Sequence, residues 1–127
     1  METGYKCILA VVNNGFSDEA MDAAREAGAR GGTVLHGRGT VSKEAEKLFN
    51  IPIQSEKEIV MILARAEKMD RLLRTLYAAV GTSTPAQGIV FALPVDEAIG
   101  IGGGDPRGAQ KVKGAAAIGQ SHEGSAR

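Results

Sequence analysis

Two glycine clusters flank one short segment, Gly31-Gly32-Thr33 and His36-Gly37-Arg38-Gly39-Thr40. Without a Cβ, glycines let backbone N–H groups converge on an anion; Arg38 adds a planar cationic fork, and Thr33 and Thr40 add hydroxyls. That set suits a phosphate-bearing ligand. Hinge glycines are an equally good reading of the same residues. Neither G-x-x-x-x-G-K-[ST] nor a G-x-G-x-x-G opening a helix is present. A second stretch, Gly81 to Gly88 (GTSTPAQG), combines hydroxyls, a proline and the Gln87 amide. It reads as a plain turn, or as a second wall of the same pocket if another copy of the chain brings it near Gly37–Thr40.

Other reactive side chains point to bland roles. Asn13, Asn14, Glu58 and Asp96 sit at segment ends, where caps and surface residues are expected. Cys7 reads as a small buried core residue, not a nucleophile. His36 has no histidine or cysteine beside it in sequence, and His122 lies near the C-terminus. Ser, His and Asp are scattered, so a hydrolase triad is unsupported. No aromatic pair is placed for stacking bases.

Composition narrows the classes further. Fifteen Lys and Arg balance fifteen Asp and Glu over 127 residues. This argues against a protein built to coat nucleic acid or an anionic membrane. A single cysteine forms no internal disulfide. The longest apolar runs, Cys7 to Val12 and Ile59 to Ala64, fall far short of the ~20 residues that span a bilayer. With no signal-peptide pattern at the N-terminus, a cytoplasmic location is expected. Eight of 17 glycines lie in 100–127. From 102 onward the only large aliphatics are Val112 and Ile118, so 102–127 is expected to be a flexible tail and 1–101 the folded domain.

The elements that must position the candidate residues follow from periodicity. Tyr5 to Asn13 reads as a strand ended by Asn13-Asn14-Gly15. Ser17 is an N-cap candidate for a helix with Ala20, Met21, Ala24 and Ala27 on one stripe and Gly28 as its C-cap. Thr33 to His36 is a second strand, and a loop from 37 to 55 holds a short helix candidate at Ser42–Phe49. Glu56 to Ala64 is the third strand. Lys68 to Val80 is a helix with Met69, Leu72, Leu73, Leu76, Tyr77 and Val80 on its stripe, stopped by Gly81. Gly88 to Val95 is a fourth strand, with Pro94 marking a sheet edge. The order is βαββαβ, which predicts an α+β fold: an antiparallel four-stranded sheet with two helices on one face.

The strands conflict with that picture in an informative way. A sheet covered on one face should alternate apolar and polar residues. Here Cys7, Leu9 and Val11 oppose Ile8, Ala10 and Val12; Ile59, Met61 and Leu63 oppose Val60, Ile62 and Ala64; Ile89, Phe91 and Leu93 oppose Val90 and Ala92. Two helices cover one side only. The other side would be apolar surface on the scale of an interface, so an obligate oligomer is expected. The competing reading folds loop 37–55 over that face, against its Lys and Glu content.

In order and spacing, FSDEAMDAAREAGARGGTV, GRGT at the loop mouth, EKEIVMIL and the last strand with VDEAIGI resemble the nitrogen regulatory PII signalling family, and more closely its short-loop members. The resemblance covers about residues 5–101. It implies a ferredoxin-like homotrimer with its sheets facing inward and no catalytic residues. It also implies an adenine nucleotide (AMP, ADP or ATP) bound as effector in clefts between subunits. Carried over by position, Val11, Gly32, Thr33, Gly37, Arg38, Gly39, Thr40, Ile59, Val60, Gln87 and Gly88 would line the cleft. The loop, through Ser42, Glu44, Lys47, Leu48 and Phe49, would dock on a membrane transporter or a cytosolic enzyme.

Departures from the family pattern shape the expected ligand. Where the pattern has a phosphate-binding lysine before the last strand, this chain reads Ala86-Gln87-Gly88-Ile89, and two phosphate-holding arginines are replaced by Gly100 and Gly102. The lysine near the end of the first strand, which the family uses with 2-oxoglutarate, is Asn13, so no ordinary 2-oxoglutarate site is expected. Charge-assisted contacts are the strong ones to phosphate, so tight ATP binding is not expected; a less charged ligand such as AMP, ADP or a cyclic nucleotide, with Arg38 as the main cation, and loss of nucleotide binding altogether are both open. Two readings stand beside that of a non-catalytic sensor whose loop binds a partner: a small phosphatase using Arg38 with Asn13 or Asn14, and a trimeric divalent-metal module built on His36.

Overall fold

The computed structural model describes residues 4–40, 44, 47, 48 and 56–101, and the backbone of 111–113. Its elements are β1 (Tyr5–Asn13), α1 (Ser17–Glu26), β2 (Thr33–Arg38), β3 (Glu56–Arg65), a 3-10 turn (Ala66–Lys68) leading into α2 (Met69–Val80), β4 (Ile89–Pro94), β5 (Glu97–Ile99) and β6 (Lys111–Lys113). β2, β3, β1 and β4 lie in that order in one antiparallel sheet. The expected α+β sheet with two helices on one face is what the chain forms.

Burial follows the pleat. Ile8, Ala10, Val12, Val60 and Ile62 are fully buried beneath the helices, with Ala20, Ala24, Leu72, Leu76 and Val80 packed on them. The alanine stripe lets α1 approach closely. Gly32 belongs to this packing: a Cβ there would lie 2.9 Å from the Met61 carbonyl and 3.0 Å from Met21 Sδ. β3 and α1 leave no room for a side chain there, which by itself accounts for glycine at this position.

Among the described residues, no element covers the opposite face. Register places Cys7, Leu9 and Val11 beside Leu63, Met61 and Ile59 on one side and beside Leu93, Phe91 and Ile89 on the other, with Leu35 across from Ile59. Leu35, Leu63, Ile89, Phe91 and Leu93 are 39–60% exposed. Cys7 is part of this half-covered face instead of the core, and partial burial raises its thiol pKa.

Other expectations need correction. Ser17 is the first helical residue and caps nothing; the N-cap position is Phe16, without a side-chain bond. The capping acceptor comes from β3: Glu58 Oε1 accepts the N–H groups of Gly15 and Ser17, each at 3.0 Å. At the other end, Gly28 (φ +106°) closes α1 in a Schellman arrangement, with Ala29 N–H to the Ala24 carbonyl and Gly28 N–H to that of Arg25. Tyr77 lies half exposed and pairs its hydroxyl with Thr82. Within the expected tail, 111–113 forms a short strand that pairs with β5 as Glu97↔Lys113, Ala98↔Val112 and Ile99↔Lys111.

Candidate functional site

The fold divides the expected ligand residues between two places. At one end of the sheet meet the end of β1 (Val11–Asn13), the end of β2 (Gly37, Arg38), the start of β3 (Lys57–Ile59) and the turn entering β4 (Gln87–Ile89). Cross-strand pairs Val11↔Ile59, Val11↔Ile89 and Gly37↔Lys57 hold them together. Gly32 and Thr33 sit at the far end of β2, about 13 Å away for four residues of strand.

The turn is pinned to the sheet by its backbone. Asn13 N–H donates to the Ala86 carbonyl (2.9 Å) and Gly88 N–H to that of Val80 (2.7 Å). Gly88 therefore has no free N–H for a phosphate, and a Cβ there would meet the Val80 carbonyl and lie 2.9 Å from Val12 Cγ1. The Thr84 hydroxyl is spent within the turn, donating to the Gly81 carbonyl at 2.8 Å. Gln87 has φ +49°, left-handed backbone that a non-glycine residue adopts at a cost on the order of 1 kcal/mol.

A side-chain network runs along this end. Lys57 Nζ donates to Asn13 Oδ1 at 2.7 Å, and Asn13 Nδ2 donates to the Pro85 carbonyl (3.1 Å) and to Gln87 Oε1 (3.3 Å). Asn13 is buried, so these bonds satisfy it where water does not reach. Lys57 was missed by the sequence reading. Its signal was the Glu56-Lys57-Glu58 alternation at a strand start, which places the lysine on the face away from both acids.

Glu58 faces the helix side, buried, across from His36. Burial pushes its pKa up, but hydrogen bonds from the Ser17 N–H, the Ser17 hydroxyl and the Gly15 N–H, with His36 nearby, outweigh it and hold the carboxyl below the usual carboxylate range.

Several expected residues fall elsewhere. Val60 is wholly buried under the helices, so its side chain does not line an open cleft. Arg38 pairs with Glu56 on the helix side of the sheet, whereas Asn13 pairs with Lys57 on the bare side. With Asn13 already bonded at both side-chain atoms, the Arg38–Asn13 phosphatase pair is not assembled. Gly39 and Thr40 follow β2 at the loop mouth. Glu44, Lys47 and Leu48 have helical backbone and are exposed; Ser42 and Phe49 lie outside the described residues. Among the described residues, no three His, Cys, Asp or Glu side chains group as metal ligands.

The second place is a groove of about 860 Å³ lined by 28–33, part of β3, Lys68 and 98–101. Met61, Leu63, Ile99 and Ile101 give it an apolar wall, and Arg30, Arg65 and Lys68 a cationic rim. Lys68 also donates to the Gly28 carbonyl at 3.2 Å, and the Arg65 guanidinium lies over the Tyr5 ring at 5.2 Å.

Comparison with known proteins agrees with this architecture. The sequence pattern described as Nitrogen regulatory protein P-II matches residues 5–105. Among solved structures, Arabidopsis thaliana PII bound to citrate superposes with a TM-score of 0.61 at 19% identity, covering 85% of each chain, which speaks for the fold. No curated protein matches the chain. No described helix is long and apolar enough to cross a membrane. With the pattern spanning most of its length, the chain belongs to the nitrogen regulatory protein P-II family.

Proposed function

We propose that this protein is a cytoplasmic, non-catalytic sensor. It acts as a homotrimer that binds an adenine nucleotide between subunits and passes that state, through its loop, to a transporter or an enzyme. The observation that carries the reading is the bare sheet face. Five large apolar residues, each roughly half exposed, would gain about 1 kcal/mol apiece on burial, or about 5 kcal/mol per subunit. Family membership supplies the mode of association, because P-II proteins are trimeric signalling regulators.

The split of the candidate residues supports a shared site. Val11, Gly37, Ile59 and Gln87 form one wall at the sheet end; Gly32 and Thr33, in the groove with Arg30, form another. One chain holds the two walls apart, and a neighbouring copy would bring its groove against the sheet end. Leu48, 78% exposed in the loop, is an apolar anchor for a partner. Thermal-shift and calorimetric titration with AMP, ADP, ATP and cyclic AMP test the reading. A nucleotide that raises the melting temperature and alters protease cleavage between 41 and 55 is the expected result. No shift with any of them would refute it.

A further inference from the structure

We infer that Lys57, Asn13 and Gln87 form an anion subsite for the phosphoryl end of a nucleoside mono- or diphosphate, an inference that rests on the nucleotide reading above. The bonding logic begins at Lys57. An ammonium group only donates, so the Asn13 atom 2.7 Å from it is the Oδ1 acceptor. Asn13 Nδ2 then faces the turn and donates to Gln87 Oε1. This engages the Gln87 side-chain oxygen and leaves its Nε2 amide to donate outward. Two N–H groups remain on Lys57 and two on Gln87, and neither side chain has a further partner among the described residues. A cationic ammonium with two N–H groups to spare, beside an amide with two more, favours an anion.

The surroundings reinforce the selection. Glu56 and Glu58 alternate to the other face of β3, and Glu58 is engaged by Gly15 and Ser17. Across from Lys57 stands Gly37, which sets no side chain beside the lysine; a Cβ there would lie 3.3 Å from Ile59 Cδ1. Asn13, buried and fully bonded, acts as a fixed bracket between lysine and glutamine. The left-handed backbone of Gln87 is a conformation a plain turn would give to glycine, and here it carries the amide. One pleat along the same face, Val11, Ile59 and Ile89 offer an apolar platform for a base. The position read as a lost cation, Asn13, is thus served by a lysine from the adjacent strand.

Calorimetry on the full chain tests this with AMP, ADP, adenosine and inorganic phosphate as probes. Wild type should bind AMP more tightly than adenosine. Lys57→Met should weaken AMP by about tenfold or more while changing adenosine by less than about twofold. Lys57→Arg should restore part of the difference. Gln87→Glu, which places an acid at the subsite, should reproduce the loss and decides the matter if Lys57→Met does not fold. Unchanged AMP affinity in folded Lys57→Met would overturn the subsite. If wild type binds no nucleotide yet binds phosphate in a Lys57-dependent way, the nucleotide reading falls and the anion subsite stands. Binding of none of the four probes overturns both.

Discussion

Replacing Glu58 by glutamine isolates a charge that joins β3 to the start of α1. In the wild type, one carboxylate oxygen accepts two N–H groups at 3.0 Å, both at the start of α1, from a buried position on β3. Hydrogen bonds to a charged acceptor contribute about 1.5–3 kcal/mol each, against about 1 kcal/mol for neutral ones, and the helix N-terminus favours negative charge. Glu58→Gln keeps an acceptor and loses the charge, for an expected cost of about 1–2 kcal/mol. Glu58→Ala leaves both N–H groups without it, for about 3 kcal/mol. At about 4–8 °C per kcal/mol for a domain of this size, the glutamine variant should melt several degrees lower and the alanine variant more than 10 °C lower, at matched protein concentration. The pH dependence gives a second reading. The folded-state pKa of Glu58 is depressed, so its contribution is complete above the unfolded value of about 4.3 and is lost as pH falls through the folded value. The gap between wild type and Glu58→Gln should be full at pH 7 and shrink below about pH 4.5. Equal melting at pH 7, or a gap that stays constant to pH 3, would refute the reasoning.

Two further perturbations address the other parts of the structure. Phe91→Glu puts a carboxylate in the middle of the bare face, beside Leu9; burying it at an interface would cost several kcal/mol per copy, so sedimentation should show a folded monomer, and a folded trimer would count against that face as the interface. Gly88→Ala drives a methyl group against the Val80 carbonyl and Val12 and should cost about 2 kcal/mol or more in thermal unfolding; wild-type stability would mean the turn moves freely.

The sequence carries the fold where one side chain's role depends on its own strand or helix. The alanine stripe of α1, the leucine stripe of α2 and the glycine stops at Gly28 and Gly81 are such cases, and all four sheet strands lie where their apolar runs are. The two-sided hydrophobicity of those strands is equally legible, because alternation is a property of neighbours in sequence. What stayed hidden depends on partners far along the chain. Ser17 looked like a cap, but the capping oxygen comes from Glu58, 41 residues away. Val60 looked like a cleft residue until register placed it under the helices. Gly32 and Gly88 looked like flexible or ligand-facing glycines, and tertiary crowding explains both. Lys57 stayed hidden because its role requires Asn13 and Gln87 to meet it, and that meeting is made by pairing β1 with β3 and by the turn into β4. β6 stayed hidden in a glycine-rich composition.

The mass of the wild-type protein in solution, by light scattering at micromolar concentration and without ligand, tests the central claim most directly. Three copies of the 13.2 kDa chain give a particle of about 40 kDa, the expected result. A stable, folded 13 kDa species across that range would contradict the burial of the bare sheet face and, with it, any site shared between copies.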